Sequence, residues 1–267
     1  MPNKVAYIIF SLTFLINFIG IVALSTRIVG TRTKKIALSS SIFNIVLFIS
    51  QFANTIQAPL LAKYIETDVI QGNAPREMFF RLILLAATIG ATVGALFVPT
   101  IHRVFEKGVN ALYKHHSIFR VIVKAFNYKT IVQIKKDITF PQQQNFSRLN
   151  NFNGIKLHLI VLNIVVYSFI TTSVLSCLYA GYLNPALRTT ALSMNGVISG
   201  IGAFGLLLFI EPYNSILTDK VIDGTVTEGY FRRYLSFVIL ARVIGVLLSQ
   251  ILLIPLAQLI AKLAEMI

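Results

Sequence analysis

The sequence predicts an all-α, polytopic integral membrane protein with about six transmembrane helices. Hydrophobic residues make up 55% of the 267 residues, charged residues only 13%, and the mean hydropathy is +0.74. Soluble domains carry about 25% charged residues, so this chain is too apolar to be one. Its 24 Lys and Arg against 10 Asp and Glu give a net charge of +14. We interpret this surplus as loop charge that orients the protein in the bilayer, and we expect no nucleic-acid partner.

Six apolar stretches have the length of about 20 residues that a helix needs to cross the bilayer core. They cover residues 5–24, 36–58, 82–101, 157–180, 191–210 and 235–259. The first stretch is long and four basic residues follow it, which favours a retained membrane helix over a cleaved signal peptide. Because the number of crossings is even, both termini are expected on the same side of the membrane.

The loops on alternate sides differ in basic residues, and this difference predicts the orientation. Segments 25–35, 102–156 and 211–234 carry 4, 10 and 3 Lys or Arg, which is 17 of the 24. Cytoplasmic loops of membrane proteins are enriched in these residues. We therefore expect these three loops in the cytoplasm and both termini outside.

The long basic segment 102–156 separates two membrane units, 1–101 and 157–267. Within it, apolar residues recur at helical spacing over 118–126, beside Arg120 and Lys124. This pattern predicts an amphipathic helix that lies on the inner membrane surface. Two roles stay open, simple anchoring to anionic phospholipids and the docking of an anionic headgroup.

The two membrane units resemble each other in sequence. Landmarks of unlike chemistry recur at offsets of 153 to 156 residues, namely Arg32-Thr33 with Arg188-Thr189, Ala37-Leu38-Ser39 with Ala191-Leu192-Ser193, Pro59 with Pro212, Gly90 with Gly245, and Pro99 with Pro255. Each unit has three spans, an odd number, so the second unit enters the membrane from the opposite side. The sequence thus predicts two inverted three-helix repeats, an architecture of many secondary transporters that open a midplane site to alternate sides.

Polar side chains interrupt the second predicted span. They are the amides of Asn44, Gln51, Asn54 and Gln57, and their spacing keeps them near one helical face. Lipid cannot satisfy amide donors and acceptors, so we expect this stripe to face other helices or a wet cavity. Hydrogen bonding between helices and the lining of a substrate path are both open.

Arg242 lies within the sixth predicted span. An ionised side chain there is costly and normally pairs with an acid or lines an aqueous path. The expected acidic partners are Glu211, Asp219 and Asp223, which lie in or beside the same inner loop. The alternative is that Arg242 reaches the inner boundary by snorkelling.

Other patterns predict close helix packing or exclude whole classes of chemistry. GxxxG spacing at Gly90/Gly94 and Gly196/Gly200 predicts helices that pack closely within the chain, with a dimer face or a hinge as the alternative. The single cysteine, Cys177, excludes an internal disulfide and a cysteine-based metal cluster. The chain has no phosphate-binding loop, zinc-protease motif, nucleophile elbow or dinucleotide fingerprint. We therefore expect no metal, no cofactor and no enzymatic activity.

A specific set of polar and charged motifs carries a family resemblance. The motifs are STRIVGTRTKKIA at 25–37, SIFN at 41–44, NTIQAPL at 54–60, Arg81 with Gly90 and Gly94, YAG at 179–181 before Pro185 and Arg188, and EP at 211–212 before TD at 218–219. With these motifs the chain strongly resembles, over its whole length, the Amj family of bacterial lipid II flippases. One position departs from the family, which usually has Asp where this chain has Glu211.

The resemblance implies a lipid transporter of the bacterial plasma membrane. Its implied substrate is lipid II, the undecaprenyl-pyrophosphate-linked precursor of peptidoglycan, moved from the inner to the outer leaflet for cell-wall biogenesis and cell shape. Proteins of the family are alternatives to the MurJ-type flippases. The implied partners are thus lipid II and the surrounding phospholipids.

A pyrophosphate calls for cationic donors, and arginine's planar fork suits it well. We expect the inner-leaflet site to comprise Arg27, Arg32, Lys34 and Lys35. Arg188, the repeat mate of Arg32, is expected to receive the same group on the outer side, while the amide stripe and Arg242 line the path. The cavity is expected either within one chain or across a homodimer.

An alternative from another class is a non-transporting membrane scaffold, or an anionic-lipid-binding protein, that acts with cell-wall enzymes. Its function would follow the basic segment 102–156 and not the arginines of the spans.

Overall fold

The computed structural model describes residues 4–115, 139, 152 and 154–267, and helices make up almost all of them. The α-helices are α1 Lys4–Ala23, α2 Ser25–Thr33, α3 Ile36–Ile70, α4 Glu77–His115, α5 Leu157–Leu183, α6 Arg188–Ser193, α7 Asn195–Gly205, α8 Glu211–Ile222 and α9 Glu228–Met266. A 3₁₀ turn, Pro185–Leu187, precedes α6, and a π-helical turn, Leu206–Ile210, joins α7 to α8. The amphipathic helix expected at 118–126 lies outside the described residues.

Six helical stretches are long and apolar enough to cross a membrane, which confirms the all-α, multi-pass prediction. Span 1 is α1 with α2, span 2 is α3, span 3 is α4, span 4 is α5, span 5 is Pro185–Ile222, and span 6 is α9. Several helices exceed their predicted stretches. At 1.5 Å per residue the 39 residues of α9 extend about 58 Å, roughly twice the hydrocarbon core. Apolar composition marks only the part of a helix that lies in hydrocarbon, so the polar ends were missed.

The spans pack in a row in the order 2, 1, 3, 6, 4, 5. Helix α1 packs along α4, α5 packs along α9, and α4 and α9 meet in the middle. Helix α3 packs on α1 at one end of the row, and α7 packs on α5 at the other. Large apolar side chains fill the interior, among them Ile9, Leu84, Phe231 and Leu253, none more than 2% exposed. Spans 2 and 5 are the least buried of the six.

Glycines set the close approach of helices in both halves. A Cβ on Gly90 of α4 would overlap the carbonyl oxygen of Phe14 on α1. A Cβ on Gly245, the repeat mate of Gly90, would lie 2.6 Å from the carbonyl oxygen of Ile164 on α5. One on Gly94 would also lie tight against α1. In each half, the third span therefore packs backbone to backbone on the first span of that half, α4 on α1 and α9 on α5. The GxxxG spacing at Gly90/Gly94 predicts this packing for α4.

The second GxxxG pair does not pack in this way. A Cβ on Gly196 or Gly200 would meet nothing within 4 Å. Gly202 and Gly205 instead face α5, where a Cβ on Gly202 would come within 2.6 Å of Ile170. The prediction of close packing through Gly196/Gly200 is therefore wrong, because the packed face of α7 lies on the neighbouring side of the helix.

The two ends of the bundle differ in charge. At one end, called the basic end here, Arg32 bridges from α2 to Glu106 of α4 and Glu228 of α9, at 3.1 and 3.4 Å. Lys35 also lies there and donates to Asn110 Oδ1 at 2.9 Å. At the opposite or far end, the chain from α3 to α4 and the start of span 5 come together.

Candidate functional site in the groove between spans 2 and 5

Spans 2 and 5, at the two ends of the row, approach each other at both of their ends, where two cavities lie, and we call the space between these spans the groove. At the basic end a cavity of about 260 Å³ is lined by α2, the start of α3 and α8. At the far end a cavity of about 200 Å³ is lined by the end of α3, by α5 and by α6. The start of span 2 lies beside the end of span 5 at the basic-end cavity, and the end of span 2 lies beside the start of span 5 at the far cavity. The two spans therefore run antiparallel, and the two cavities lie at opposite ends of the groove.

Most of the predicted amide stripe lies on the face of α3 that lines this groove. At 100° per residue, Asn44, Gln51 and Asn54 lie within about 40° of Ser40 in the basic-end cavity and about 80° of Ala62 in the far cavity. All three amide side chains are exposed in the isolated chain. The groove thus carries hydrogen-bonding groups along its length, which a purely lipid-facing helix would not.

Gln57 departs from the predicted stripe. It is buried and donates to the Thr13 hydroxyl of α1. One helical turn beyond Asn54, its side chain has rotated from the groove face to the α1 face of the helix. For Gln57 the interhelical alternative is therefore the one observed.

Arg27 is the central cation of the basic-end cavity. It lies on α2, is 14% exposed, and forms an ion pair with Glu211 at the start of α8. Its guanidinium lies over the Phe43 ring, 5.3 Å from the ring centre, and its Nε is buried without a hydrogen-bond partner among the described residues. This arginine therefore links the two halves of the chain and keeps one donor unused.

The other walls of this cavity are rich in hydroxyl and carboxylate groups. They include Ser40, Ser215, Thr218 and Asp219, and Asn44 lies beside them. Hydroxyl and amide donors suit phosphate oxygens, whereas the carboxylates of Glu211 and Asp219 repel anions. An anion that enters must therefore take the place of Glu211 on Arg27.

The far cavity also has an ion pair that links the two halves. Arg188 Nη2 of α6 donates to Glu66 Oε1 of α3 at 2.8 Å. Arg188 is 31% exposed and lines the cavity beside Leu192 and Ala62. Each end of the groove thus has one arginine bound to a glutamate across it.

The remaining predicted cations of the inner-leaflet site do not line the cavity. Arg32 binds Glu106 and Glu228, and Lys35 lies over the Tyr113 ring, 3.9 Å from its centre. Lys34 closes α2 with a left-handed backbone, at φ 55°. These three residues lie at the rim of the basic end, whereas Arg27 alone of the predicted inner set lines the cavity.

Arg242 is held by a carbonyl oxygen and an aromatic ring, and not by an acid, among the described residues. Its Nη1 donates to the carbonyl oxygen of Gly20 at 2.8 Å, and its guanidinium lies 4.5 Å from the centre of the Tyr167 ring. It lies 14 residues into α9, about 21 Å from the start of that helix, and its guanidinium points to the neighbouring spans. Because it contacts spans 1 and 4 from span 6, Arg242 links the two halves.

The predicted acidic partners of Arg242 are likewise corrected. Glu211 pairs with Arg27, Asp219 lines the basic-end cavity, and Asp223 lies just after α8. Arg242 makes no ion pair with any of the three in the described part of the chain. A carbonyl and an aromatic face satisfy the half-buried cation instead.

The sequence prediction missed Glu66, which lines the far cavity, and the buried acid Asp68 on the same helix. It ended the second span at residue 58, before Pro59, but α3 continues to Ile70. Asp68 is buried, accepts from the Tyr182 hydroxyl at 3.0 Å, and pairs with Arg76 at 2.9 Å. The repeat contained a signal for Glu66, since it follows Pro59 by seven residues as Asp219 follows Pro212.

The described residues contain no group of three or more His, Cys, Asp or Glu that could hold a metal ion. Six apolar helices and a polar groove with an arginine at each end define a multi-pass membrane protein of the transporter type. Residues 12–264 match the family described as Amj, Alternate to MurJ, and the chain belongs to this family. A relative, the lipid II flippase Amj of Bacillus subtilis (strain 168), is 31% identical over 260 residues, 96% of each protein. No solved structure matches the chain.

Proposed function

We propose that this protein moves lipid II from the inner to the outer leaflet of the bacterial plasma membrane, along the groove between spans 2 and 5. The observation that carries the proposal is the groove itself, which has an arginine-containing cavity at each end and amide side chains between them. The name of the Bacillus subtilis relative supports lipid II as the substrate. Cell-wall synthesis is then the process that the protein serves.

The groove suits the three parts of lipid II. Its pyrophosphate needs cationic donors, its sugar-peptide head needs a polar path, and its isoprenoid tail belongs in the hydrocarbon. Apolar side chains on the outer surface of α3 are widely exposed, with Phe48 at 70% and Phe52 at 59%. The tail stays in the bilayer against such surfaces while the head travels in the groove.

Arg27 is the proposed pyrophosphate ligand at the inner leaflet. The incoming phosphate displaces Glu211 and gains the unused Nε donor, so Arg27 binds it with its planar fork. A hydrogen bond to a charged group contributes about 1.5–3 kcal/mol. The Ser40 hydroxyl of α3 and the Ser215 hydroxyl of α8 line the same cavity and complete the donor set. The Thr218 hydroxyl already donates to the Asn214 carbonyl oxygen at 2.7 Å.

Arg32, Lys34 and Lys35 act at the rim. Their charge raises the local concentration of the anionic headgroup near the cavity, which is a longer-range and salt-sensitive effect. This division of roles follows from the contacts of Arg32 and Lys35 with groups outside the cavity.

The amides of Asn44, Gln51 and Asn54 provide hydrogen bonds along the path. The 18 residues from Asn44 to Ala62 correspond to about 27 Å of helix, close to the thickness of the hydrocarbon core. Arg188 receives the phosphate at the far end by displacing Glu66. Arg242, which is engaged with Gly20 and Tyr167, holds the halves together and does not bind substrate.

We infer alternating access by two inverted repeats. The symmetric order of the spans along the row and the matching roles of Gly90 and Gly245 support this inference. The basic end lies in the cytoplasm and both termini outside, since cytoplasmic segments are rich in Lys and Arg. One chain supplies both walls of the groove, which supports transport without a homodimer.

The test is lipid II accessibility at the outer leaflet, in cells or vesicles where this chain is the only flippase. We expect wild type to expose lipid II, Arg27→Gln to lose exposure, and Lys35→Gln, a matched loss of one cation, to keep most of it. If both variants lose lipid II exposure, Arg27 contributes only general positive charge, as the rim residues do, and is not the pyrophosphate ligand. A correctly inserted wild type that moves no lipid II would overturn the proposed function and favour a scaffold.

A further inference from the structure

The far-end ion pair closes the groove by joining the two halves. Arg188 lies at the start of span 5 and Glu66 near the end of span 2, and their side chains meet at 2.8 Å beside the far cavity. The pair spans the groove at the end where a sugar-peptide head would leave it. The pair therefore has the position of a gate.

The sequence repeat relates Arg188 and Glu66 to a second pair of residues, which belongs to the basic end. Arg188 follows Arg32 by 156 residues, and Asp219 follows Glu66 by 153. Glu66 and Asp219 each lie seven residues after a proline of their span, and both are acidic, as Arg32 and Arg188 are both basic. The basic-end equivalent of Arg188–Glu66 is therefore Arg32–Asp219.

This equivalent pair is not made in the structure. Asp219 lines the basic-end cavity and makes no ion pair with a described residue. Arg32 binds Glu106 and Glu228 instead. Arg27–Glu211 also links the halves at the basic end, but neither residue is the repeat mate of Arg188 or Glu66. Of the two mated pairs, Arg188–Glu66 is formed and Arg32–Asp219 is not, which is the asymmetry expected when inverted repeats take unlike conformations.

We propose that Arg32 and Asp219 form the gate of the basic end, and that this gate and Arg188–Glu66 are closed alternately. This inference rests on the proposed transport function and extends it, since it names Asp219 as a positioning residue that touches no substrate. In the state that opens to the far side, Arg32 leaves Glu106 and Glu228 for Asp219, and Arg188 leaves Glu66.

Local structure and energetics favour such an exchange. Arg32, Glu106 and Glu228 are each about a third exposed or more, and ion pairs at such sites contribute little to stability. Arg32 can therefore change partners at small cost. Asp219 lies on α8, which begins directly after the π-helical turn Leu206–Ile210, where the α-helical hydrogen-bond ladder is interrupted.

Charge reversal tests the pairing. We expect Arg32→Glu and Asp219→Arg each to lower lipid II flipping about tenfold, and the double variant to restore it to within about threefold of wild type. The matched control joins Arg32→Glu with Glu106→Arg, which reverses the pair that the structure shows. If only this control restores flipping, or if neither does in stably inserted protein, the gate is refuted.

A second readout needs no lipid II. Leu192→Cys places a thiol in the far cavity, where an impermeant reagent added from the far side reports opening, while the fully buried native Cys177 gives little background. We expect Asp219→Asn to slow this labelling, because the basic-end gate no longer closes, and Glu66→Gln to speed it. Unchanged labelling in both variants with normal flipping refutes the gate alone. The expected labelling without any flipping by wild type refutes the proposed function alone.

Discussion

Replacement of one buried glycine tests the packing on which the two halves depend. Gly90 of α4 lies against the backbone of α1, so that a Cβ there would overlap the carbonyl oxygen of Phe14. A backbone oxygen in a packed helix cannot rotate away as a side chain does. In Gly90→Ala the two helices must therefore separate, and we expect the protein to lose stability.

A matched substitution isolates the size of this effect. Gly200 is also within a helix, but a Cβ there meets nothing within 4 Å. Both alanines change the backbone propensity of a helical glycine by up to about 1 kcal/mol in the same direction. The difference between the two variants is then the overpacking cost, which is typically about 1–3 kcal/mol. Gly245→Ala, whose Cβ would lie 2.6 Å from the Ile164 carbonyl oxygen, should resemble Gly90→Ala.

The protein provides its own probe for this measurement. Cys177 is the only cysteine and is 0% exposed, so a thiol-reactive fluorescent dye labels it as the protein unfolds. We expect the melting transitions of Gly90→Ala and Gly245→Ala to fall below that of Gly200→Ala in the same detergent. Coincident transitions for Gly90→Ala and Gly200→Ala would show that α1 and α4 are not in backbone contact.

Two further predictions use side chains that the sequence alone could not separate. Gln51→Leu should reduce flipping and leave the melting transition unchanged, whereas Gln57→Leu should cost about 1–3 kcal/mol of stability, since Gln57 bonds to Thr13 in the interior. Flipping and melting assays on both variants check this, and equal behaviour would contradict the assignment of faces on α3. Arg242→Met should weaken the tie between the halves by about 1–3 kcal/mol through the lost hydrogen bond to Gly20, with Tyr167→Leu showing a smaller loss. An unchanged melting transition in Arg242→Met would contradict the tie.

The number and class of the helices could be predicted from the sequence because hydrocarbon imposes a minimum apolar length. The family could be predicted because its polar and charged motifs hold fixed spacing over the whole chain. The ends of the helices could not, since composition carries no signal once a helix leaves the membrane. Thus α3 continues past Pro59 to Ile70 and brings Glu66 to the groove.

The partners of the charged residues were the harder part of the prediction. Arg27 and Arg32 lie five residues apart in one basic loop, yet α2 turns only Arg27 into the cavity. Glu211 was assigned to Arg242 on nearness along the chain, but it meets Arg27 from the opposite end of the sequence. Such pairings depend on which spans meet across the groove, and a single sequence does not state that arrangement.

The π-helical turn Leu206–Ile210 sets where span 5 tolerates a change of length. In a regular α-helix, deletion of one residue rotates everything beyond it by about 100°. A π-helical turn already contains one residue more than the α-helical ladder needs. Deletion of a single residue within 206–210 converts the turn to regular α-helix and leaves Glu211 and Asp219 aimed at their cavity, whereas the same deletion in α7 turns both toward lipid.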